Sequence, residues 1–447
     1  MTPKTLWAAG FLTACLAASA APPGQSAFVD VTVVPMDRNR TLPHQTVLVS
    51  GTTITTIGPV AGTRVPDGVT RIDGRGAYLL PGLADMHTHV NEPDALLLYT
   101  ANGVTTILHM GLAPADFVDH VRGEIADGRT VGPRIYFGFM VDGSPEWGRP
   151  YVQNPEQARA AVVFAKGNGY DFIKLYNAVT VAEFDAIVAE SRRQGLAVIG
   201  HGVRAVGLPD ALFRGQVMVA HAEEFYYTAF HNEIPKDPAE IERVAQATRD
   251  SGAYVTPNLS TFAVIARQWG RPEVVKEMLA DPRVSYLVPS TRWDWSQSDY
   301  AHRTGDLSPV LAFLARFTKA LADHGVPLLT GTDSPAIPGM LPGYSLHDDL
   351  RTLTDAGLSR YQALECATRV PGEFLGKFVV GAERFGTVSA GSRADLVLLA
   401  RNPLEDLDTL RTPLGVMSSG RYLSRSELSA RLEQQKESYA GFGGSGR

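Results

Sequence analysis

Six residues, scattered through a chain of 447, are of the types that bind divalent cations. His87 and His89 end the stretch "PGLADMHTH", two positions apart, so in an extended strand both imidazoles point to one face. Lys174 stands in "YDFIKLYNA", His201 in "LAVIGHG", His221 in "VMVAHAEE" and Asp333 in "VPLLTGTDS". Each lies within or just after an apolar run. Imidazole and carboxylate suit zinc and similar divalent ions. Any one such histidine is more often a satisfied core residue, but four of them with a lysine and an aspartate at strand ends are hard to explain by packing. Lys174 is the least expected member, because an ammonium loses most by leaving water. Its segment alone reads first as a strand end whose amine extends into solvent. Asp333 has its own plainer alternative, N-capping a following helix in "TDSP".

These residues need a scaffold that brings distant segments together. In the middle of the chain, strand-like apolar runs alternate with longer helix-like segments, the pattern of parallel β/α units. The candidate strands are "GLADMHTHV", "GVTTILHMG", "RIYFGFMVDG", "YDFIKLY", "LAVIGHG", "VMVAHAEE", "AYVTPNLS" and "VPLLTGTDS". Segments such as "TVAEFDAIVAESRRQG" and "VLAFLARFTKALADHG" show helical periodicity and a terminal glycine. Eight units predict an α/β fold with a (β/α)8 TIM barrel, whose chemistry sits at the C-terminal ends of the strands. The six residues fall at those ends. Before the barrel, "AFVDVTVVPM", "TVLVSG", "TITTIG" and "RIDGRGAYLL" read as short antiparallel strands, and a similar texture returns in "FGTVSAGSRADLVLLA" and "LGVMSSGRYL". The two ends are expected to pair into one small sheet domain.

Bulk properties agree with a globular enzyme and exclude some partners. Hydrophobic content is 44% and charged content 20%, ordinary values for a folded soluble chain. A net charge of −6 without a basic run argues against nucleic acid and anionic membranes. "MTPKTLWAAGFLTACLAASA" has Lys4, an apolar run and "ASA", the layout of a secretory signal cleaved near Ala20. Export to the periplasm or beyond is therefore expected. "LTAC" offers a second reading, with Cys15 as a lipid-anchor site. No later segment is long enough to span a bilayer. Only Cys366 remains beyond Cys15, so the mature chain forms no internal disulfide, and Cys366 reads as a buried helix residue.

"PGLADMHTH", "IKLY", "IGHG", "VAHAEE", "TGTDS" and "GSRADLVLLARNPLED" together resemble the amidohydrolase superfamily, nearest in texture to its imidazolonepropionase-like and prolidase-like branch. The resemblance runs to about residue 425. It implies a β-sandwich built from 21–80 and 380–425 and a metal-dependent hydrolase barrel over 81–379, between the signal peptide read over 1–20 and a C-terminal helix and Gly-rich, disordered tail (426–447). It also implies two divalent metals, zinc by family habit. His87, His89 and Asp333 would hold the more buried ion, and His201 and His221 the more exposed one. Lys174, N6-carboxylated by carbon dioxide, would bridge them. Burial is consistent with this, since it depresses a lysine pKa and leaves the neutral amine that reacts with carbon dioxide. The activity implied is hydrolysis of an amide, peptide or cyclic amide C–N bond by a metal-bridging hydroxide, with Asp333 as proton shuttle. An esterase, lactonase or phosphotriesterase using the same centre is the enzyme alternative, and a non-catalytic binding protein the alternative of another class.

The expected partner is a small molecule, and a homo-oligomer is left open. Substrate recognition falls to the loops after the strands. These carry Trp147, Arg149, Tyr176, Arg204, Tyr226, Tyr227, His231 and Asn258, and the long insert adds Trp293, Trp295 and Tyr300 as a candidate lid. In prolidase-like relatives a tyrosine and an arginine after the strand-five histidine hold the substrate carboxylate. Here the segment reads "HGVRAVGLPDAL", with Val203 in the tyrosine position and Arg204 displaced. That departure counts against carboxypeptidase-like action on dipeptides.

Overall fold

The structure, a computed structural model, describes residues 24–146 and 150–440. The leader expected over 1–20 with Cys15, the loop residues Trp147 and Arg149, and the tail from 441 onward lie outside the described residues.

The first five strands are β1 (Gln25–Val33), β2 (Leu42–Ser50), β3 (Thr53–Pro59), β4 (Thr70–Asp73) and β5 (Tyr78–Pro81). They are β-branched and apolar on the face that packs Phe28, Val31, Val47, Val49 and Leu79 into a core of their own. Seven barrel strands follow: β6 (Leu83–Thr88), β7 (Val104–His109), β8 (Arg134–Val141), β9 (Phe172–Leu175), β10 (Ala197–Gly200), β11 (Gln216–Ala220) and β12 (Tyr254–Thr256). The chain then returns to the first sheet as β13 (Leu396–Leu399), β14 (Gly415–Ser418) and β15 (Arg421–Ser424). That sheet runs β15-β14-β13-β5-β1-β2-β3 with β4 beside β1. The sheet of both chain ends is hydrogen-bonded along one path but is not flat: it folds over on itself, so that the Phe28 ring on β1 meets the Tyr422 ring on β15 at 5.7 Å across three intervening strands. It is not wholly antiparallel either, since β4 and β5 lie parallel to β1. The stretch "RIDGRGAYLL" is interrupted where the Gly74 amide donates to Val29 O (2.8 Å) and Gly76 turns at φ +73°. It thus supplies two short strands that pair one after the other along β1.

The barrel strands pair in parallel in sequence order, from β6 to β12. They are buried almost throughout, as strands covered on both faces must be. The helices that cover them begin and end where the sequence predicts. Val181–Gln194 starts with a Thr180/Glu183 capping box and stops at Gly195 (φ +66°). Ser308–Asp323 buries Phe313, Leu314 and Phe317. Cys366 is buried at the end of Arg360–Cys366.

The expected eighth strand departs from regularity. Residues 326–334 make only isolated bridges, Leu328 to Val255 and Ser334 to Thr88. Proline at 327 has no amide to donate. Backbone bonds nonetheless reach both neighbours: Leu329 N to Val255 O (2.9 Å), Met86 N to Thr330 O (2.9 Å) and Asp333 N to His87 O (2.7 Å). The barrel is nearly closed, with seven laddered strands and one irregular closing segment. No helix starts at Asp333, so the capping alternative fails; Tyr344–Asp355 is the next helix. Among the described residues, no helix is long and apolar enough to cross a membrane.

Sheet and barrel meet through a buried cation. The Arg393 guanidinium pairs with Asp395, donates to Thr106 Oγ1 on β7 and lies 4.8 Å from the Phe385 ring centroid. Asp395 also accepts from Ser419 N at 2.7 Å. Asp395→Ala removes the nearest countercharge of this guanidinium and leaves Glu383 Oε2 at 3.9 Å, and it is expected to cost about 3–5 kcal/mol. The check is a fall in the urea midpoint without a change in slope.

Candidate metal centre

The polar ends of the strands converge on one cavity of about 1810 Å³. His87 leaves β6 fully buried, and both of its ring nitrogens lack a hydrogen-bond partner. Burial lowers its pKa to about 4, so the ring is neutral and offers a lone pair. His89, just beyond β6, faces the Gly111 carbonyl through Nδ1 (3.1 Å). His89 Nε2 lies 3.0 Å from Asp333 Oδ1. His87 Nε2 is 3.3 Å from the same oxygen. Burial pushes the Asp333 carboxyl up, but the two imidazoles outweigh it and hold the group well below its usual range.

Asp333 reaches this position through unusual backbone. Its φ is +59°, and its flanks are pinned. Asp85, also on β6, accepts from Thr332 N (3.0 Å) and from Thr332 Oγ1 (2.6 Å). Thr332 Oγ1 also lies 2.7 Å from Ser334 Oγ, which pairs with the Tyr99 hydroxyl at 2.8 Å. Gly331 must be glycine, because a Cβ there would lie 2.4 Å from Thr256 Cγ2 and 2.7 Å from His87 Cβ. Burial raises the Asp85 carboxyl to about 8.

Lys174 is inside β9 and 1% exposed. The solvent-seeking reading of its segment is therefore wrong. The strand continues into Leu175 and is covered by its neighbours, so the amine ends among the histidines. Burial lowers its pKa to about 8, with Asp333, Glu224 and Asp142 opposing the shift. No ion pair to Lys174 forms among the described residues. Next to it, Gly200 adopts φ +122°, and a Cβ there would meet Leu175 O at 2.3 Å and Lys174 Cδ at 3.0 Å. This close approach delivers His201 directly beside the lysine strand.

His201 and His221 complete the set. Their ring centroids are 5.0 Å apart, and His221 lies 4.4 Å from His87. Both Nδ1 atoms are buried without a partner, and burial holds both rings well below the ordinary imidazole pKa. Glu224 ties the loops that carry them, accepting from Asn177 Nδ2 (2.8 Å) and Gly202 N (3.1 Å). Burial lifts its carboxyl to about 7. Ligand atoms of His87, His221 and Asp333 all lie within 4.8 Å of one another. Neutral imidazoles with orphaned buried nitrogens, beside an ionised carboxylate, fit divalent cations.

The loop residues divide. Tyr176, Arg204, Tyr227 and His231 line the cavity, Arg204 from an exposed position. The Tyr176 ring packs edge-on against His201 at 4.1 Å. Tyr226 is not among the lining residues; its hydroxyl donates to Asn232 O (2.6 Å) and its ring faces Phe313. Asn258 is fully buried with neither side-chain amide atom partnered, and it too does not line the cavity. In the insert, Trp293 points to solvent, whereas Trp295 is buried and anchors the insert by donating to Pro335 O at 2.7 Å. Tyr300 lines the cavity. Sequence reading passed over Asp85, Asn177, Glu224 and Thr332. Asp85 was within reach, because it shares the period-2 face of His87 and His89. Asn177 and Glu224 are recognisable only once their loops are seen together.

Comparison with known proteins agrees with this geometry. The model of the Amidohydrolase family matches residues 78–423. No curated protein sequence matches the chain. Among solved structures, bottromycin amidohydrolase aligns with a TM-score of 0.74 at 25% identity, covering 94% of this chain and 91% of that one. A candidate prolidase from Bifidobacterium longum gives 0.68 at 24% identity, with 93% and 99% covered. A Xaa-Pro dipeptidase with methionine in its active site gives 0.66 at 18% identity, with 90% and 100% covered. These last two are likenesses of fold. A family match over most of the length, on a barrel that gathers these donors, leads to one conclusion: the chain belongs to the amidohydrolase family and is a hydrolase of carbon–nitrogen bonds.

Proposed function

We propose that the chain is an exported hydrolase of amide, peptide or cyclic amide bonds that works with two divalent cations, zinc by the habit of such donor sets. The observation that carries this reading is the convergence of four histidines, Asp333 and the buried Lys174 on one cavity. His87, His89 and Asp333 would hold one cation, His201 and His221 the other, and Lys174 as its carbamate would join them. Such cations supply a Lewis acid for the scissile carbonyl and lower the pKa of a water molecule.

The chain's own groups account for the remaining steps. The Asp333 carboxylate, held ionised by His87 and His89, accepts the proton of the attacking water. It then delivers that proton to the leaving nitrogen as the C–N bond breaks and the new C–O bond forms. Lys174 is depressed to about 8, which leaves a reactive neutral fraction at physiological pH for carboxylation. The Asp85–Thr332–Ser334 bonds keep the shuttle in place through catalysis. Peptide and amide substrates are in keeping with neighbours described as a Xaa-Pro dipeptidase and a bottromycin amidohydrolase. Val203 is fully buried and Arg204 sits exposed at the rim, so these two do not form a carboxylate clamp beside the strand-five histidine. Export rests on the leader-like residues 1–20 alone.

Two outcomes are expected. Lys174→Ala should lose bound metal and at least about 100-fold in kcat while its circular dichroism and unfolding midpoint stay close to wild type; full activity in that variant would refute a ligand role for Lys174. With matched amide and ester substrates sharing one acyl group, hydrolysis of the amide is expected, and turnover of the ester alone would favour the esterase alternative.

A further inference from the structure

Glu223 follows the metal-binding His221 by two positions and lines the cavity, yet none of the steps above uses it. It opens the short helix Glu223–Thr228, and 14% of its side chain is exposed. Its Oε2 is buried without a hydrogen-bond partner, and its Oε1 lies 3.8 Å from His221 Nδ1. Among the described residues no lysine or arginine forms an ion pair with it. Among the described residues the cavity's arginines are Arg204 and Arg303, both exposed. Aromatic rings stand in their place. Tyr227 and Tyr300 line the same cavity within electrostatic reach of Glu223, and Trp269 stacks on Tyr300 at 6.0 Å. A buried carboxyl group with no Lys or Arg partner among the described residues, in a cavity it shares with two tyrosines, is an environment that stabilises an organic cation through a charge-assisted hydrogen bond, with aromatic side chains nearby.

We infer that Glu223, with Tyr227 and Tyr300, forms a subsite for the free α-ammonium group of the substrate's acyl residue. The inference rests on the amide-hydrolase reading above and narrows it to substrates with an unblocked amino terminus. Position favours the α-ammonium over a side-chain cation. A group held by Glu223 lies next to His221, within roughly one residue's reach, about 3.5 Å, of a carbonyl placed at the metal ligands. The ammonium of the acyl residue is two bonds from its own carbonyl carbon, whereas a lysine side chain would carry its charge well past this point. An unblocked terminus also fits the missing carboxylate clamp, since recognition at the amino end does not need one.

The test compares L-leucine p-nitroanilide with N-acetyl-L-leucine p-nitroanilide, and N-acetyl-L-lysine p-nitroanilide serves as the side-chain cation. For the wild-type holoenzyme, kcat/KM should favour the free amine over the acetylated leucine anilide by about 10- to 100-fold. In Glu223→Gln that ratio should collapse towards one, mainly through KM, with metal content per chain as in wild type; Glu223→Asp should keep part of the preference. Equal losses on every substrate together with lower metal content would overturn the proposal and make Glu223 a positioning residue for His221. A wild-type preference for the lysine anilide alone would overturn the α-ammonium assignment. Cleavage of acetylated and free anilides at equal rates would refute the subsite and leave the hydrolase intact, whereas failure to cleave any amide would count against the parent reading.

Discussion

One carboxylate shared between two imidazoles organises this molecule. Asp333 Oδ1 lies 3.0 Å from His89 Nε2 and 3.3 Å from His87 Nε2, which joins the first barrel strand to the segment that closes the barrel. For that contact the closing segment gives up strand regularity. Its backbone turns to φ +59° at Asp333, and its threonine and serine hydroxyls take up bonds around Asp85 that a ladder would otherwise not provide. A non-glycine residue in left-handed backbone is uncommon and persists where its surroundings over-determine it. Here Gly331, Thr332 and Ser334 do so. The irregular eighth position is thus where the fold and the proposed chemistry meet.

A second constraint is dielectric. Three imidazoles, a lysine and several carboxylates are buried around one cavity, and desolvation moves nearly all of them towards their neutral forms. Asp333 is the exception, kept anionic by its histidine neighbours. Neutral imidazoles and an ionised carboxylate are the protonation states that metal coordination requires. Clustered perturbed groups in a cleft are also what distinguishes a functional site from structural ion pairs. The surface pairs here, such as Arg40–Asp37 and Lys319–Asp323, are local in sequence and exposed.

Much of this was legible in the sequence, for identifiable reasons. Parallel strands buried on both faces stand out as apolar runs, so β6 to β12 and the histidines at their ends could be placed without the structure. Helix punctuation was equally plain, as in Thr180, Glu183 and Gly195 around Val181–Gln194. The eighth position was misjudged because "VPLLTGTDS" has a strand's composition, while its proline and the side-chain bonds to Asp85 suppress the ladder. Lys174 was ambiguous because a strand segment does not reveal whether its end meets solvent or a cavity. Tyr226 and Tyr227 could not be told apart, since one residue of helix rotation sends one ring to Phe313 and the other to the cavity. The parallel pairing of β4 and β5 with β1 depended on a crossover that local pattern does not encode.

The central claim is that Lys174 acts as a carbamate ligand between two cations. Native mass spectrometry of protein prepared without chelators, combined with metal analysis per chain, tests it most directly. The account predicts two divalent metals and a mass increment of one carboxyl group that is lost in Lys174→Ala. A single metal on an unmodified chain would contradict it and point to a mononuclear centre.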